Sequence, residues 1–201
     1  MQKMQAGNLR DKYLKELRNR LKDSMGKKNI YEVPMMEKVV INTSFGKLSP
    51  DAKMKEQILN KLSQVAGQKP VLTKAKKAIA GFKIREGQDI GAKVTLRGEK
   101  MFHFFEKLVS IVLPRLRDFR GVSESSLDGK GNFTLGFSEI NLFPEVEYTR
   151  SEKPIGLEIT IRTSAKTDEE AKALLSELGM PFRKNQVIQK KQVKESVQNK
   201  I

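Results

Sequence analysis

Cysteine and tryptophan are both absent from this 201-residue chain, and histidine occurs once, as His103. Without thiols there are no disulfides, and with one imidazole there are no zinc sites built on thiolates or paired histidines. A reducing compartment fits. Nucleophilic catalysis has little to work with: Ser126, Asp128 and Lys130 lie close in sequence, but no His or Cys stands near them to activate a nucleophile. No Gly-x4-Gly-Lys-Ser/Thr run occurs, so nucleotide hydrolysis lacks its usual phosphate loop. We therefore expect no catalytic residues, no metal and no cofactor. Long apolar runs are missing too. No window approaches the roughly eighteen uninterrupted apolar residues of a membrane span, and Met1 to Arg20 lacks the apolar centre of a signal peptide. The expectation is an unexported protein with no membrane partner.

What the chain does have is positive charge. Its 39 Lys and Arg face 24 Asp and Glu, a net charge of +15. Such an excess repels itself unless a polyanion compensates it, and nucleic acid is the commonest polyanion. A basic protein with no nucleic-acid partner, or one that sits on a membrane surface, carries the same charge. Hydrophobic residues at 38% are few for a compact domain, yet they suffice for one folded body with charged ends.

Periodicity gives the elements. Leu9, Tyr13, Leu14, Leu17 and Leu21 recur at helical spacing among Lys12, Lys15, Arg18, Arg20 and Lys22, which predicts an amphipathic helix over 8–25 ended by Gly26. Val39 to Thr43 reads as a strand. Ser49-Pro50 resembles a helix start, and Met54, Ile58, Leu62 and Val65 form one face up to Gly67. Val71 to Thr73 is extended after Pro70. In 92–97, Ala92, Val94 and Leu96 alternate with Lys93, Thr95 and Arg97, which predicts a strand with one apolar and one basic face. A helix over 99–113 is expected to stop at Pro114. Phe133 to Phe137 and Leu157 to Thr163 are further strands, the latter alternating Leu157, Ile159, Ile161 with Glu158, Thr160, Arg162. Thr167 and Glu170 read as a capping box for a last helix through Leu178, closed by Gly179 and Pro181. The link from Gly81 to Ala92 is too short for a helical crossover. The fold class is therefore α+β, a mainly antiparallel sheet with helices on one face. We expect a single domain over 1–183 and a lysine-rich extension over 184–201, too polar to order by itself.

Nine Lys and Arg against three acidic residues give 67–100 a local excess of six. Phosphate contact explains such a cluster through counterion release, and a solvated face explains it equally by charge count. The strand face Lys93-Thr95-Arg97, which joins cations to a hydroxyl donor, favours the phosphate reading. Gly81, Gly87 and Gly91 bracket Phe82, Lys83 and Arg85, which reads as a glycine-hinged loop suited to charge and stacking contacts. Arg115, Arg117 and Arg120 follow a helix end, where cations bind phosphate or a carboxylate or simply complement the helix dipole. Asp128-Gly129-Lys130-Gly131-Asn132 is turn chemistry.

Four long motifs then carry a resemblance: 67–77 (GQKPVLTKAKK), 80–87 (AGFKIREG), 93–99 (KVTLRGE) and 113–121 (LPRLRDFRG). With Phe143-Pro144-Glu145, 167–171 (TDEEA) and 179–183 (GMPFR), they make the chain similar to bacterial-type large-subunit ribosomal protein five over roughly 9–183. There are departures. Asn42-Thr43-Ser44-Phe45-Gly46 stands where the family usually has Asn-Met-Gly-Val-Gly, Asn141-Leu142 precedes Phe143 untypically, and the tail after Arg183 has no common counterpart.

The resemblance implies a structural, non-enzymatic constituent of the large subunit that binds 5S rRNA in the central protuberance. It implies an RNA-binding polar sheet face, with contacts from Asn42, Gln68, Thr95 and Arg97, to which charge and position add Lys69 and Lys93. It implies further that the loop with Gly81, Phe82, Lys83, Arg85 and Gly87 reaches the peptidyl-site tRNA and a small-subunit head protein. Arg115, Arg117 and Arg120 are then candidates for the subunit bridge or for large-subunit rRNA. The compartment would be cytoplasmic, or that of an organellar ribosome. A free RNA-binding regulator or chaperone of the same fold is the alternative.

Overall fold

The computed structural model describes residues 9–45, 52–117, 119–146 and 154–183. Five strands form one sheet in the order β2-β3-β1-β5-β4: β1 (Met36–Ser44), β2 (Val71–Lys74), β3 (Asp89–Leu96), β4 (Phe133–Phe137) and β5 (Leu157–Thr163). Every pairing is antiparallel, as the short link between β2 and β3 requires. The inward residues of the central strands, Val39 and Ile41 on β1, Val94 and Leu96 on β3, Ile159 and Ile161 on β5, are all buried. Helix α2 (Ala52–Ala66) lies against β3, and α3, which begins at Gly98, lies against β1. The apolar stripe of α4 (Asp168–Glu177), made of Ala171, Leu174 and Leu175, joins the same core.

Helix α1 runs as α-helix over Leu9–Lys12, as a π-turn over Tyr13–Leu17 and as α-helix again over Arg18–Ser24. The spacing of its buried residues explains the π-turn. Tyr13, Leu17 and Leu21 sit four apart, and four residues carry an α-helix roughly 40° past a full turn. A wider turn takes that drift back and keeps the stripe on the core. Leu14, expected within the stripe, is 45% exposed for the same reason. The Tyr13 hydroxyl donates to the Pro34 carbonyl at 2.8 Å, so burial of the ring leaves no polar group unpaired.

Pro114 does not stop α3. The helix continues from Gly98–Lys107 through a π-turn at Leu108–Val112 to Leu113–Arg115. A proline inside an α-helix removes one N–H bond and collides with the carbonyl four residues back. The widened turn immediately before Pro114, where Leu113 N–H bonds to the Leu108 carbonyl, gives the ring its room. The expected start at Ser49-Pro50 lies outside the described residues, but the far end of α2 is built as its sequence suggests. Gly67 takes φ +62°, Lys107 Nζ reaches the Val65 carbonyl at 2.8 Å and Lys100 Nζ the Gly67 carbonyl at 3.3 Å. Two ammonium groups thus meet carbonyls that the helix leaves unpaired. At α4, Thr167 Oγ1 accepts from Glu170 N–H at 3.4 Å. The Glu170 carboxylate returns to the Lys166 N–H at 3.1 Å rather than to Thr167, one residue out from the usual box.

Candidate nucleic-acid interface

Among the described residues the helices and loops leave the other sheet face open, and register fixes what it displays. Residues opposite one another in antiparallel strands share a face. One row therefore crosses the whole sheet as Val71, Lys93, Asn42, Glu158 and Gly136. The next row is Thr95, Val40, Thr160 and Thr134, and beyond it Lys38 faces Arg162. Hydroxyls fill the middle and cations stand around them. A shallow hollow on this face is lined by Lys38, Asn42, Lys93, Glu158, Thr160 and Arg162 among others, with Asp128 and Asn132 at its rim and no helix residue on its walls.

The turn at the rim is held from within. Asp128 accepts from the Lys130 N–H at 2.8 Å, the Asn132 N–H at 3.0 Å and the Asn132 side-chain amide at 2.7 Å. Those bonds, the Asn132 side chain first, hold its carboxyl below the usual carboxylate range. Asp168 accepts from Gly129 and Gly131 N–H groups at 3.0 and 2.9 Å, which ties the turn to the start of α4.

Of the residues singled out by sequence, Asn42, Lys93 and Thr95 share the open face. Gln68 joins them at the edge, since its Nε2 donates to the Thr95 carbonyl at 3.3 Å where β2 no longer pairs with β3. Lys69 is exposed beside it. Arg97 lies past the strand, which ends at Leu96. It occupies the N-cap position of α3 with an extended backbone (φ −139°, ψ 166°), so the alternation runs on by one residue and leaves its side chain exposed.

The glycine-hinged loop is instead a continued hairpin. Gly87 N–H donates to the Ala75 carbonyl at 3.0 Å, Ala75 N–H to the Gln88 carbonyl at 2.8 Å, and Ile79 and Ile84 exchange bonds at 3.0 and 3.2 Å. The tip is a 3-10 turn, Ala80–Phe82, followed by Lys83 in the left-handed region at φ +54°. Gly81 is not a hinge: its φ lies outside the positive range, and only Gly87, at +77°, uses a conformation that glycine favours. Gly91 serves close approach, since a Cβ there would sit 2.5 Å from the Thr43 carbonyl oxygen. Phe82 stands 66% exposed at the tip, between the exposed Lys83 and Arg85 and the exposed Lys76 and Lys77. The nine residue steps from Ile84 to Lys93 put this tip a contour of roughly 30 Å from the open face.

Arg115, Arg117 and Arg120 form a third, separate group. All are exposed, and Arg115 Nη1 reaches the Leu142 carbonyl at 3.4 Å. They lie at the far end of α3, about 27 Å of helix from Arg97. Lys38, Thr134, Glu158, Thr160 and Arg162 share this face without being marked as site residues by the sequence. The alternation of β5 displayed the last three, but nothing local says that they share a face with Lys93. Ser44, where the family usually has glycine, continues β1 opposite Gly91, and the chain runs on to a buried Phe45.

A basic α+β protein with one sheet face packed by helices and the other polar and framed by cations has the electrostatic footprint of an RNA-binding protein. Two family models match it, one described as Ribosomal protein L5 over residues 29–85 and one as the C-terminus of the same ribosomal family over residues 89–182. The chain belongs to the ribosomal protein L5 family. It is accordingly a structural protein of the large ribosomal subunit that binds ribosomal RNA, not an enzyme. Among the described residues no helix is long and apolar enough to cross a membrane.

Proposed function

We propose that the open sheet face is the seat of 5S rRNA in the central protuberance, with Asn42, Gln68, Lys69, Lys93, Thr95 and Arg97 as contacts. The observation that carries this reading is the five-strand face that no helix among the described residues covers, with hydroxyls and an amide at its middle and Lys38, Lys93 and Arg162 around them. Cations hold phosphates and set the register, while neutral donors select among bases and 2′-hydroxyls. Residues up to Arg183 act as one domain, with 184–201 as a lysine-rich extension outside the described residues. The hairpin tip at Gly81, Phe82, Lys83, Arg85 and Gly87 reaches the peptidyl-site tRNA and a small-subunit head protein, in keeping with its distance from the sheet face. Arg115, Arg117 and Arg120 serve the bridge or large-subunit rRNA. The protein works on cytoplasmic ribosomes, and an organellar ribosome would use the same chemistry.

Binding of 5S rRNA by single variants across a salt series tests the assignment. Arg97→Ala should cost about 1–3 kcal/mol and make the salt slope shallower by about one charge, with the melting temperature unchanged. Gln68→Ala should weaken binding with the slope unaltered, because a neutral amide releases no counterions. Wild-type affinity in Arg97→Ala at moderate salt would refute the assignment. Sedimentation addresses the regulator alternative: stoichiometric presence in the large subunit excludes it.

A further inference from the structure

Two carboxylates at the open face have the wrong sign for a phosphate: Asp128, whose oxygens accept three hydrogen bonds within their own turn, and Glu158, which has no such turn around it. Glu158 is exposed in the row Lys93, Asn42, Glu158, Gly136, and a carboxylate there repels the RNA backbone that its neighbours attract. Its described partner is local: Asn42 Nδ2 donates to Glu158 Oε2 at 3.2 Å. That bond fixes the orientation of the carboxylate, and it leaves Glu158 Oε1 and a second lone pair on Glu158 Oε2 as two adjacent acceptors on one planar group, with no other hydrogen bond among the described residues. An acceptor pair calls for a ligand with two adjacent donors.

The position beside Glu158 is empty in a way that local structure does not require. Gly136, directly opposite on the edge strand β4, has no positive φ, and a Cβ built on it would meet nothing within 4 Å. A side chain there would start in open space, and a β-branched one should strengthen the strand, since glycine is among the poorest strand formers. A strand glycine with neither a turn nor a packing reason marks a place where a ligand comes close to the backbone. Here it leaves the space beside the carboxylate free of a side chain from β4.

We infer that Asn42, Glu158 and Gly136 form a base-reading subsite that takes the N1–H and N2–H edge of an unpaired guanine. Guanine presents two donors side by side on that edge, adenine and cytosine present one donor next to an acceptor, and phosphate presents none. The flat ring lies over Gly136 while the surrounding cations hold the flanking phosphates. Glu158 thereby acts as a filter. It lowers affinity for backbone alone and returns it only when the right base edge is offered.

This inference rests on the 5S rRNA reading, and kethoxal separates the two because it reacts with N1 and N2 of unpaired guanines. In the wild-type complex with 5S rRNA, at least one guanine should lose its reactivity. Glu158→Gln, at saturating protein, should restore that reactivity while backbone protection from hydroxyl radicals persists. It should also bind unrelated duplex RNA more tightly and lose roughly tenfold in discrimination, the size of one lost two-point base contact. Gly136→Val should be at least as stable to heat as the wild type yet leave the same guanine reactive. If Glu158→Gln or Gly136→Val keeps the wild-type kethoxal pattern, or if the wild type protects no guanine, the subsite is refuted and the 5S rRNA reading stands. If the wild type forms no specific complex with 5S rRNA, both fall.

Discussion

Glu170 joins two parts of the chain through one carboxylate. It accepts from Lys27 Nζ at 2.6 Å and from the Lys166 N–H at 3.1 Å, and it sits in the first turn of α4, where negative charge is favoured. The pair is partly shielded, at 28% and 21% side-chain exposure, which sets it above a median surface salt bridge. The Lys27 hydrogen bond, then the Lys166 N–H, holds the Glu170 carboxyl below its ordinary value of 4.5, and the same contact raises Lys27 above 10.5. A depressed carboxyl contributes stability that is complete above its unfolded value and is lost as pH falls through the folded one. Glu170→Gln should therefore cost about 1–2 kcal/mol at neutral pH. The gap in urea midpoint between the two proteins should close as pH drops below about 4.5. A gap that persists down to pH 2 would mean that the carboxylate charge is not what matters. Lys27, being raised, loses its contribution only as pH climbs through its own folded value, far above neutrality.

At the scale of elements, the proposed function gives the two halves of the β2–β3 hairpin separate roles. Its distal half, from Lys76 to Glu86, buries no side chain and is held by its own ladder, so it is removable without opening the core. Replacing 77–86 by a short turn should leave 5S rRNA affinity and melting temperature within experimental error while altering the peptidyl-site tRNA footprint on assembled ribosomes. Lost 5S rRNA affinity would show that the tip is part of the sheet-face site. How far such elements are legible in sequence depends on what encodes them. Strands β3 and β5 were plain because a half-buried strand must alternate, and Ala92, Val94 and Leu96 do so. The ends of α1, α2 and α4 were plain because caps and left-handed glycines are local. The π-turns were not. They arise from fitting residues four apart to a core, and that carried α3 past Pro114 and turned Leu14 outward. The hairpin ladder at Ile79 and Ile84 escaped as well, because its residues are exposed and show no period. At the candidate site, Lys93 and Thr95 were readable on one strand, whereas their grouping with Glu158, Arg162 and Thr134 is a property of register that no single strand contains.

For the whole molecule, the charge of +15 sets both affinity and its sensitivity to salt. The extension after Arg183 holds Lys184, Lys190, Lys191, Lys194 and Lys200 against Glu195. Truncation after Arg183 should leave folding and subunit entry intact, lower RNA affinity and make the salt slope shallower by a few charges. Equal slopes with and without the extension would show that those lysines meet only solvent. The place of β1 in the sheet has a further consequence, for the order of events as the chain is made. This strand lies at the centre and pairs with β3 and with β5, and Asn42 and Glu158 are separated by 116 residues. Neither family-matched segment contains a complete sheet, because β1 and β2 come from the first and β3, β4 and β5 from the second. Pairing at such separation is slow, since loop closure precedes any gain from contact. A nascent chain thus carries many of its cations before the row Lys93, Asn42, Glu158 and Gly136 is assembled. Under the proposed function, selective binding of RNA should begin only after β5 has emerged, and chains that stop short of it should attract RNA without discrimination.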